Sequence, residues 1–275
     1  DEQALYWCDI AGRAVNRYVP ATGEHRQWPL PCEPSAIAPR PDGGLVVAQR
    51  DGIFRLDTGT GERERIAAAP YDQTLQRFND GKADPQGRFW VGTIHEKRAP
   101  EASLYCLTLD RLDRVFDGAT NSNGLAWSPD GATMYWSDTR LSTIFAFDFD
   151  PDAGDLAHRR VFARFDARRE DEPLETYGGR PDGGAVDRAG CYWAAMFEGQ
   201  RLVRLAPDGT LLQSVPLPVR CASMPCFGGP DLRTLYVTTT RDKRPADELA
   251  AQPWAGCVLE TRVEVPGLPV NFADV

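Results

Sequence analysis

The 275-residue sequence predicts an all-β fold, a six-bladed β-propeller, and three observations carry that prediction. A short apolar, aromatic-rich core recurs six times: Leu5-Tyr6-Trp7, Leu45-Val46-Val47, Phe89-Trp90-Val91, Met134-Tyr135-Trp136, Cys191-Tyr192-Trp193 and Leu235-Tyr236-Val237. Successive cores lie 40, 44, 45, 57 and 44 residues apart, the period of propeller blades built from four short strands. Turn chemistry separates the runs, and helical periodicity is weak nearly everywhere. A sandwich is the competing fold, but sandwiches do not usually repeat one unit six times, and radial closure protects strand edges. The expectation is one domain over 1–275, since all-β domains often pass about 200 residues.

Taken in order, the first blade begins directly at its aromatic core and lacks the innermost N-terminal strand that the other blades show. The opening stretch, DEQALYWCDI, enters strand sequence almost at once, so the chain is expected to begin inside a domain. Val15-Asn16-Arg17-Tyr18-Val19-Pro20 then alternates apolar and polar residues, as a strand with one face on a core does. In the second blade Pro41-Asp42-Gly43 precedes the core and Gly52-Ile53-Phe54-Arg55-Leu56-Asp57 follows it. Asp84-Pro85-Gln86-Gly87 opens the third core, and Pro129-Asp130-Gly131 opens the fourth, which Ile144-Phe145-Ala146-Phe147-Asp148 continues. The long offset before the fifth core is the charged insert 165–173, a solvated rim loop with a lid as the alternative role. Leu202-Val203-Arg204-Leu205 extends the fifth blade. Trp7, Trp90, Trp136 and Trp193 recur at blade spacing, which makes them packing residues rather than a sugar platform.

Composition bounds the function. Against 31 Lys and Arg stand 40 Asp and Glu, a net charge of −9, so no basic field exists to draw nucleic acid. A neutral or cationic ligand or a metal ion fits better. No apolar run approaches the roughly 18 residues of a membrane span, and no signal sequence opens the chain. Seven scattered cysteines without close pairing read as reduced thiols, as in the cytoplasm.

One polar position recurs. Gly43, Gly87, Gly131 and Gly190 are each preceded, eight residues earlier, by Ser35, Asn79, Asn123 and Asp182. In a propeller the innermost strands line the channel, so equivalent positions near their starts converge on one mouth. Asp and Asn oxygens suit Ca²⁺, Mg²⁺, Mn²⁺ or Zn²⁺. Asn-Gly and Asp-Gly pairs are also plain turn formers, so a site and a set of turns both remain open. In the sixth blade the corresponding stretch, Ser223-Met224-Pro225-Cys226-Phe227, has no carboxylate.

Arg77-Phe78-Asn79-Asp80-Gly81-Lys82, Ser122-Asn123-Gly124-Leu125-Ala126-Trp127, Arg180-Pro181-Asp182-Gly183 and Cys226-Phe227-Gly228-Gly229 together resemble the motifs of the SMP-30, gluconolactonase and regucalcin family. The resemblance covers almost the whole chain, and its specificity lies in the combination and order of the motifs. It implies a six-bladed propeller with one divalent metal at the channel mouth and hydrolysis of a sugar lactone. It implies that Asn123 and Asp182 are metal ligands, that Asp182 is also the general base or positions the attacking water, and that Arg77 and Asn79 hold the substrate. The third family ligand is a Glu in a segment ahead of the first core, which this sequence does not contain; Glu2 lies too near Leu5 to be its match. A missing native N-terminus is the expectation.

Other residues carry paired readings. His95 and Glu96 close the third core strand, as substrate contacts or as ordinary surface loop, and Glu96 is the one carried forward as substrate-binding. Phe197 and Glu198 lie on a loop that could shape substrate selection. Cys226 reads as packing, without a His partner in its blade. The leading expectation is a cytoplasmic sugar lactonase acting on a small molecule, without nucleic-acid or membrane partner, monomeric or weakly dimeric. The alternative is a non-catalytic calcium- or metal-binding or interaction propeller.

Overall fold

The computed structural model describes residues 2–109 and 111–275. The architecture is all-β, a six-bladed β-propeller whose blades are six separate antiparallel sheets in chain order. Blade one holds β1 (Leu5–Asp9), β2 (Ala14–Val19) and β3 (Glu24–Pro29). Blade two holds β4 (Pro34–Pro39), β5 (Leu45–Gln49), β6 (Gly52–Leu56) and β7 (Arg63–Ala68). Blade three holds β8 (Gln76–Ala83), β9 (Phe89–His95), β10 (Ala102–Leu107) and β11 (Leu112–Ala119). Blade four holds β12 (Ser122–Trp127), β13 (Thr133–Asp138), β14 (Thr143–Phe149) and β15 (Leu156–Arg164). Blade five holds β16 (Arg180–Val186), β17 (Tyr192–Phe197), β18 (Arg201–Leu205) and β19 (Leu211–Pro216). Blade six holds β20 (Ala222–Gly228), β21 (Thr234–Thr239) and β22 (Val258–Arg262).

The recurring aromatic cores are β1, β5, β9, β13, β17 and β21. In blades two to five that strand is the second of four, whereas blade one has three strands among the described residues and begins at its aromatic core, as the sequence predicts. The turn glycines Gly43, Gly87, Gly131 and Gly190 have φ of +99°, +92°, +72° and +79°, a left-handed backbone that glycine adopts without a Cβ clash. Ahead of two of them sits a feature the sequence reading missed. Asp84 is fully buried and accepts from the backbone N–H of Gln86 and Arg88, from Trp90 Nε1 and from Arg88 Nε, at 2.5–3.0 Å. Asp187 does the same for Ala189, Cys191, Trp193 and Arg204, at 2.8–3.0 Å. Each carboxylate ties the turn to the tryptophan six residues on.

The polar position that recurs in sequence has a structural basis. Strand pairing slips inside the first strand of blade two between Pro34 and Ala36, of blade three between Phe78 and Gly81, of blade five between Pro181 and Gly184, and of blade six between Ala222 and Met224. The slips contain Ser35, Asn79, Asp182 and Ser223. A β-bulge leaves its extra residue unpaired and re-aims its side chain, which is how an innermost strand presents a polar group without losing its ladder.

The chain divides into two compact units, one running to Ser122 and joined by Val270–Val275, the other Asn123–Pro269. In the first, Phe78, Phe89, Val91 and Ile53 form a core that Ala273 and Val275 complete, and a second cluster gathers Val15, Trp28, Val47 and Leu56. The last residues are tied down by Ala273 N–H to Pro39 O and Asp274 N–H to Gly87 O, both 2.8 Å. In the second unit, Tyr135, Ile144, Tyr192 and Met196 pack together, and Trp193, Leu202, Leu235 and Val237 form a neighbouring cluster. Burying each large aliphatic or Phe side chain of this kind contributes about 1.5–3 kcal/mol.

Trp90, Trp136 and Trp193 are buried as expected, but Trp7 is only half-buried and stacks on His25, with ring centroids 5.7 Å apart. It therefore packs on an exposed histidine instead of filling a core. The segment 165–173 has no strand or helix and is almost wholly exposed. A six-residue helix, α1 (Ala246–Ala251), follows β21, and no helix among the described residues is long and apolar enough to cross a membrane.

Candidate active site

In the second compact unit, close backbone packing sets the site. Asn123 is 3 % exposed on β12, and its Nδ2 donates to Thr139 Oγ1 at 2.6 Å. Thr139 opens the 3-10 turn Thr139–Leu141 that follows β13, and the Asp138 carboxylate caps that turn by accepting from Arg140 N–H at 3.1 Å. Gly124 next to Asn123 has φ +66°, and a Cβ there would overlap Tyr192 Oη, stand 2.5 Å from Ser137 Oγ and lie 3.1 Å from the carbonyl oxygen of Asp182. Tyr192 Oη donates to Gly124 O at 2.7 Å, and Ser137 Oγ donates to Asp182 O at 3.2 Å. Gly183, after Asp182, is equally confined: a Cβ would come within 2.6 Å of Ser223 O and 2.7 Å of Met224 Sδ. The missing side chains of Gly124 and Gly183 let β12, β16 and β20 approach, and this brings Asn123 and Asp182 into one neighbourhood.

The first compact unit carries the other predicted group. Arg77 Nη1 donates to Asn79 Oδ1 at 3.0 Å and to Phe78 O at 2.8 Å, while Asn79 Nδ2 donates to Ser122 O at 3.0 Å. Both ends of the Asn79 amide are thereby fixed. Glu96, just beyond β9, has Oε1 3.9 Å from Arg77 Nε and accepts from Arg50 Nη2 at 2.7 Å. Arg50 also makes a two-pronged pair with Glu33 at 3.0 and 3.2 Å. Burial lowers the Arg77 guanidinium below its ordinary value, opposed by Glu96 and assisted by neighbouring Arg50. Burial raises Glu33, but the hydrogen bonds from Arg50 outweigh it and hold the carboxyl below its usual range. Glu33-Arg50-Glu96-Arg77-Asn79 is thus one continuous polar chain, and the three predicted residues Arg77, Asn79 and Glu96 belong to it. Arg50 and Glu33 were not foreseen, although Glu33 precedes Ser35 as Arg77 precedes Asn79.

The remaining candidates resolve individually. Ser35 Oγ donates to Ala48 O at 3.3 Å, a bond within its own blade. Ser223, in the sixth bulge, shares a hydrogen bond with Thr238 Oγ1 at 2.9 Å. His95 is buried rather than on a surface loop: its Nδ1 accepts from Ala99 N–H at 3.3 Å and its Nε2 lies 3.7 Å from Glu101. The ring is tucked under the loop it was expected to decorate. Cys226 lies half-buried on β20.

Beyond β17, the second unit carries an arginine-rich cluster. Arg180 Nη1 pairs with Glu198 at 2.5 Å and its guanidinium lies 5.0 Å from the Phe197 ring centre. Arg244 bridges Glu198 at 2.9 Å and Glu248 of α1 at 2.7 Å, and Arg220 Nε stands 3.3 Å from Glu248.

The family model for the SMP-30/gluconolactonase/LRE-like region matches residues 1–241. The chain belongs to this SMP-30/gluconolactonase family. It is 44% identical over 268 residues to 6-deoxy-6-sulfogluconolactonase of Pseudomonas putida, covering 97% of this chain and 89% of that one. It is 34% identical over 275 residues to regucalcin of Oryctolagus cuniculus, again covering 97% and 89%. Among solved structures, that of a calcium-binding protein, regucalcin, from Agrobacterium tumefaciens superposes with a TM-score of 0.91 at 28% identity, covering 99% of this chain and 90% of that one. The SMP-30/gluconolactonase family is a family of lactone-hydrolysing enzymes, and the chain is a member over most of its length.

Family membership raises the question of a metal. Among the described residues no three His, Cys, Asp or Glu side chains gather at one point. What the second unit offers is oxygen: the amide of Asn123, whose nitrogen end is committed to Thr139, and the carboxylate of Asp182. Oxygen donors of these two kinds fit a hard or borderline divalent cation in type, and the resemblance asks for one carboxylate more. Glu2 does not supply the third, since its carboxylate accepts from Tyr6 Oη at 2.8 Å and pairs with Arg17.

Proposed function

We propose that this chain hydrolyses a sugar lactone to the sugar acid with one divalent ion, Ca²⁺, Zn²⁺, Mn²⁺ or Mg²⁺, and with Asp182 as general base. The observation that carries the reading is Gly124: its lack of a side chain brings the backbone of Asp182 against the segment that carries Asn123. A cation held by Asn123 and Asp182 supplies polarisation of the lactone carbonyl. Asp182 takes the proton from the attacking water, so no Ser or Cys nucleophile is required. Arg77, kept a cation, is assigned to the negative charge that develops on the carbonyl oxygen, and its planar fork also suits vicinal hydroxyls. Asn79, immobilised at both ends of its amide, orients the substrate, and Glu96 accepts from its hydroxyls. The same reading takes 1–275 as one domain, monomeric or weakly dimeric, working in the cytoplasm.

The test is a pH-indicator assay of aldonolactone opening across a panel of divalent ions, with Asp182→Asn beside the native chain. Metal-dependent proton release that Asp182→Asn abolishes supports the proposal. The calcium-binding relative supports a second reading, a metal-binding propeller without turnover. Ion binding without opening of any lactone would select it.

A further inference from the structure

We propose that Arg180, backed by Arg244 and Arg201, is a subsite for an anionic oxygen-bearing substituent of the lactone, a sulfonate, phosphate or carboxylate. The proposal rests on the lactonase reading and narrows its substrate class. Arg180 and Asp182 share β16 two residues apart, Asp182 standing in the bulge that follows Arg180. A lactone whose carbonyl is at Asp182 therefore extends its far end over a distance that Arg180 commands. In blade three Arg77 stands two residues ahead of the bulge residue Asn79, and Arg180 stands in the same relation to Asp182. Both face a glutamate that directly follows the next strand, Glu96 after β9 and Glu198 after β17.

The two arms differ in charge. In blade three, Arg50 and Arg77 are balanced by Glu33 and Glu96. Around blade five, Arg180, Arg220 and Arg244 pair with Glu198, Glu248 and Glu175, Glu175 being 73% exposed and so screened, and Asp182 stands two residues from Arg180. Arg201 is tied only to a carbonyl, that of Gly178 at 3.0 Å, and burial lowers its guanidinium from the ordinary value. In a chain of net charge −9, Arg201 is thus a cation that no carboxylate among the described residues pairs. A balanced arm suits neutral hydroxyls; an arm with a cation to spare suits an anion.

The geometry is also pre-set. Arg180 is the accessible member, 31% exposed, while Arg244 behind it is 10% exposed. Phe197 supports its guanidinium plane from beneath. Glu198 has φ +63°, a left-handed conformation that strains a non-glycine residue, and the two arginines hold it there. The turn cannot relax, since Gly199 is pressed onto Gly179 so closely that a Cβ would meet its Cα at 2.8 Å.

The experiment measures kcat/KM of the native chain on gluconolactone and on gluconolactones carrying a sulfonate, phosphate or carboxylate at the far end, then repeats it for Arg180→Gln and Arg180→Lys. The anionic-to-neutral ratio is expected to exceed about tenfold in the native chain, to fall at least about tenfold in Arg180→Gln, and to be partly kept in Arg180→Lys, which retains charge without the fork. The anionic substituent that gives the largest ratio names the source. A ratio that does not change in Arg180→Gln would overturn the proposal. Thermal stabilisation by the substituted and unsubstituted sugar acids is measured on the same proteins. If no lactone is opened, the lactonase reading fails, and a shift given by the substituted acid and lost in Arg180→Gln still supports the anion subsite, whereas equal shifts in both proteins refute it.

Discussion

The hydroxyl of Tyr192 donates to the carbonyl of Gly124 at 2.7 Å, so a core residue of blade five holds the backbone beside Asn123 in blade four. Tyr192 is fully buried, and the space a Gly124 side chain would need is occupied by its oxygen. Tyr192→Phe leaves that carbonyl without its donor, at a cost of about 1–3 kcal/mol. Gly124→Ala adds both a clash and a left-handed alanine, and is expected to lose more. Urea denaturation gives the stability change, and lactone turnover should fall in both variants by more than the unfolded fraction explains.

Arg77 is expected to act on binding. Arg77→Met removes a guanidinium that is 17% exposed and already anchored to Asn79, so the substrate loses an ordered donor. kcat/KM should fall by about tenfold or more, the worth of a hydrogen bond to a charged group, through a lower kcat, a higher KM or both, with a smaller drop in melting temperature. Steady-state kinetics beside a thermal melt separates turnover from stability; unchanged kcat and KM remove Arg77 from the substrate side.

The buried aspartates at the turns are structural, and a variant shows it. Asp187→Asn loses the charge that holds Arg204 and Trp193, at a cost of about 1.5–3 kcal/mol. Chemical denaturation should register the loss while kcat of the folded fraction stays near the native value.

Acid should find the arginine cluster. Burial raises Glu198, yet Arg180 and Arg244 outweigh it and hold the carboxyl below its ordinary 4.5. A depressed carboxyl contributes stability that is fully present above the unfolded value and lost as pH falls through the folded one. Glu248 is held down chiefly by Arg244 and behaves alike. The urea midpoint should thus be flat in this contribution down to about pH 5 and fall below it, and Glu198→Gln should flatten that fall. Parallel profiles for the two proteins would remove Glu198 from the account.

The fold was legible because each aromatic core repeats a pattern that burial imposes, and the turn glycines mark left-handed positions no other residue tolerates as well. The polar set was legible for a related reason: Ser35, Asn79 and Asp182 occur at bulges, where a strand must give up its regular pairing, and the spacing to the turn glycine preserves that register. Long-range partners were not legible. Arg50 reaches Glu96 across 46 residues, and Val275 meets Arg55 across 220, and neither spacing carries a local signal. Trp7 shares its spacing with buried tryptophans, but it is half-buried and stacks on His25, a cross-strand partner that spacing does not reveal. The short helix α1 has two acidic residues in its first turn and no buried side chain, too weak a pattern to stand out from the loop around it.

Asp182 bears the central claim. The most direct measurement is initial-rate proton release from an aldonolactone, with and without added divalent ion, for the native chain and Asp182→Asn at equal folded concentration. The account predicts metal-dependent release by the native chain and a loss of about 10²–10⁴-fold in the variant. Equal rates in the two proteins, or no release with any ion, would contradict it.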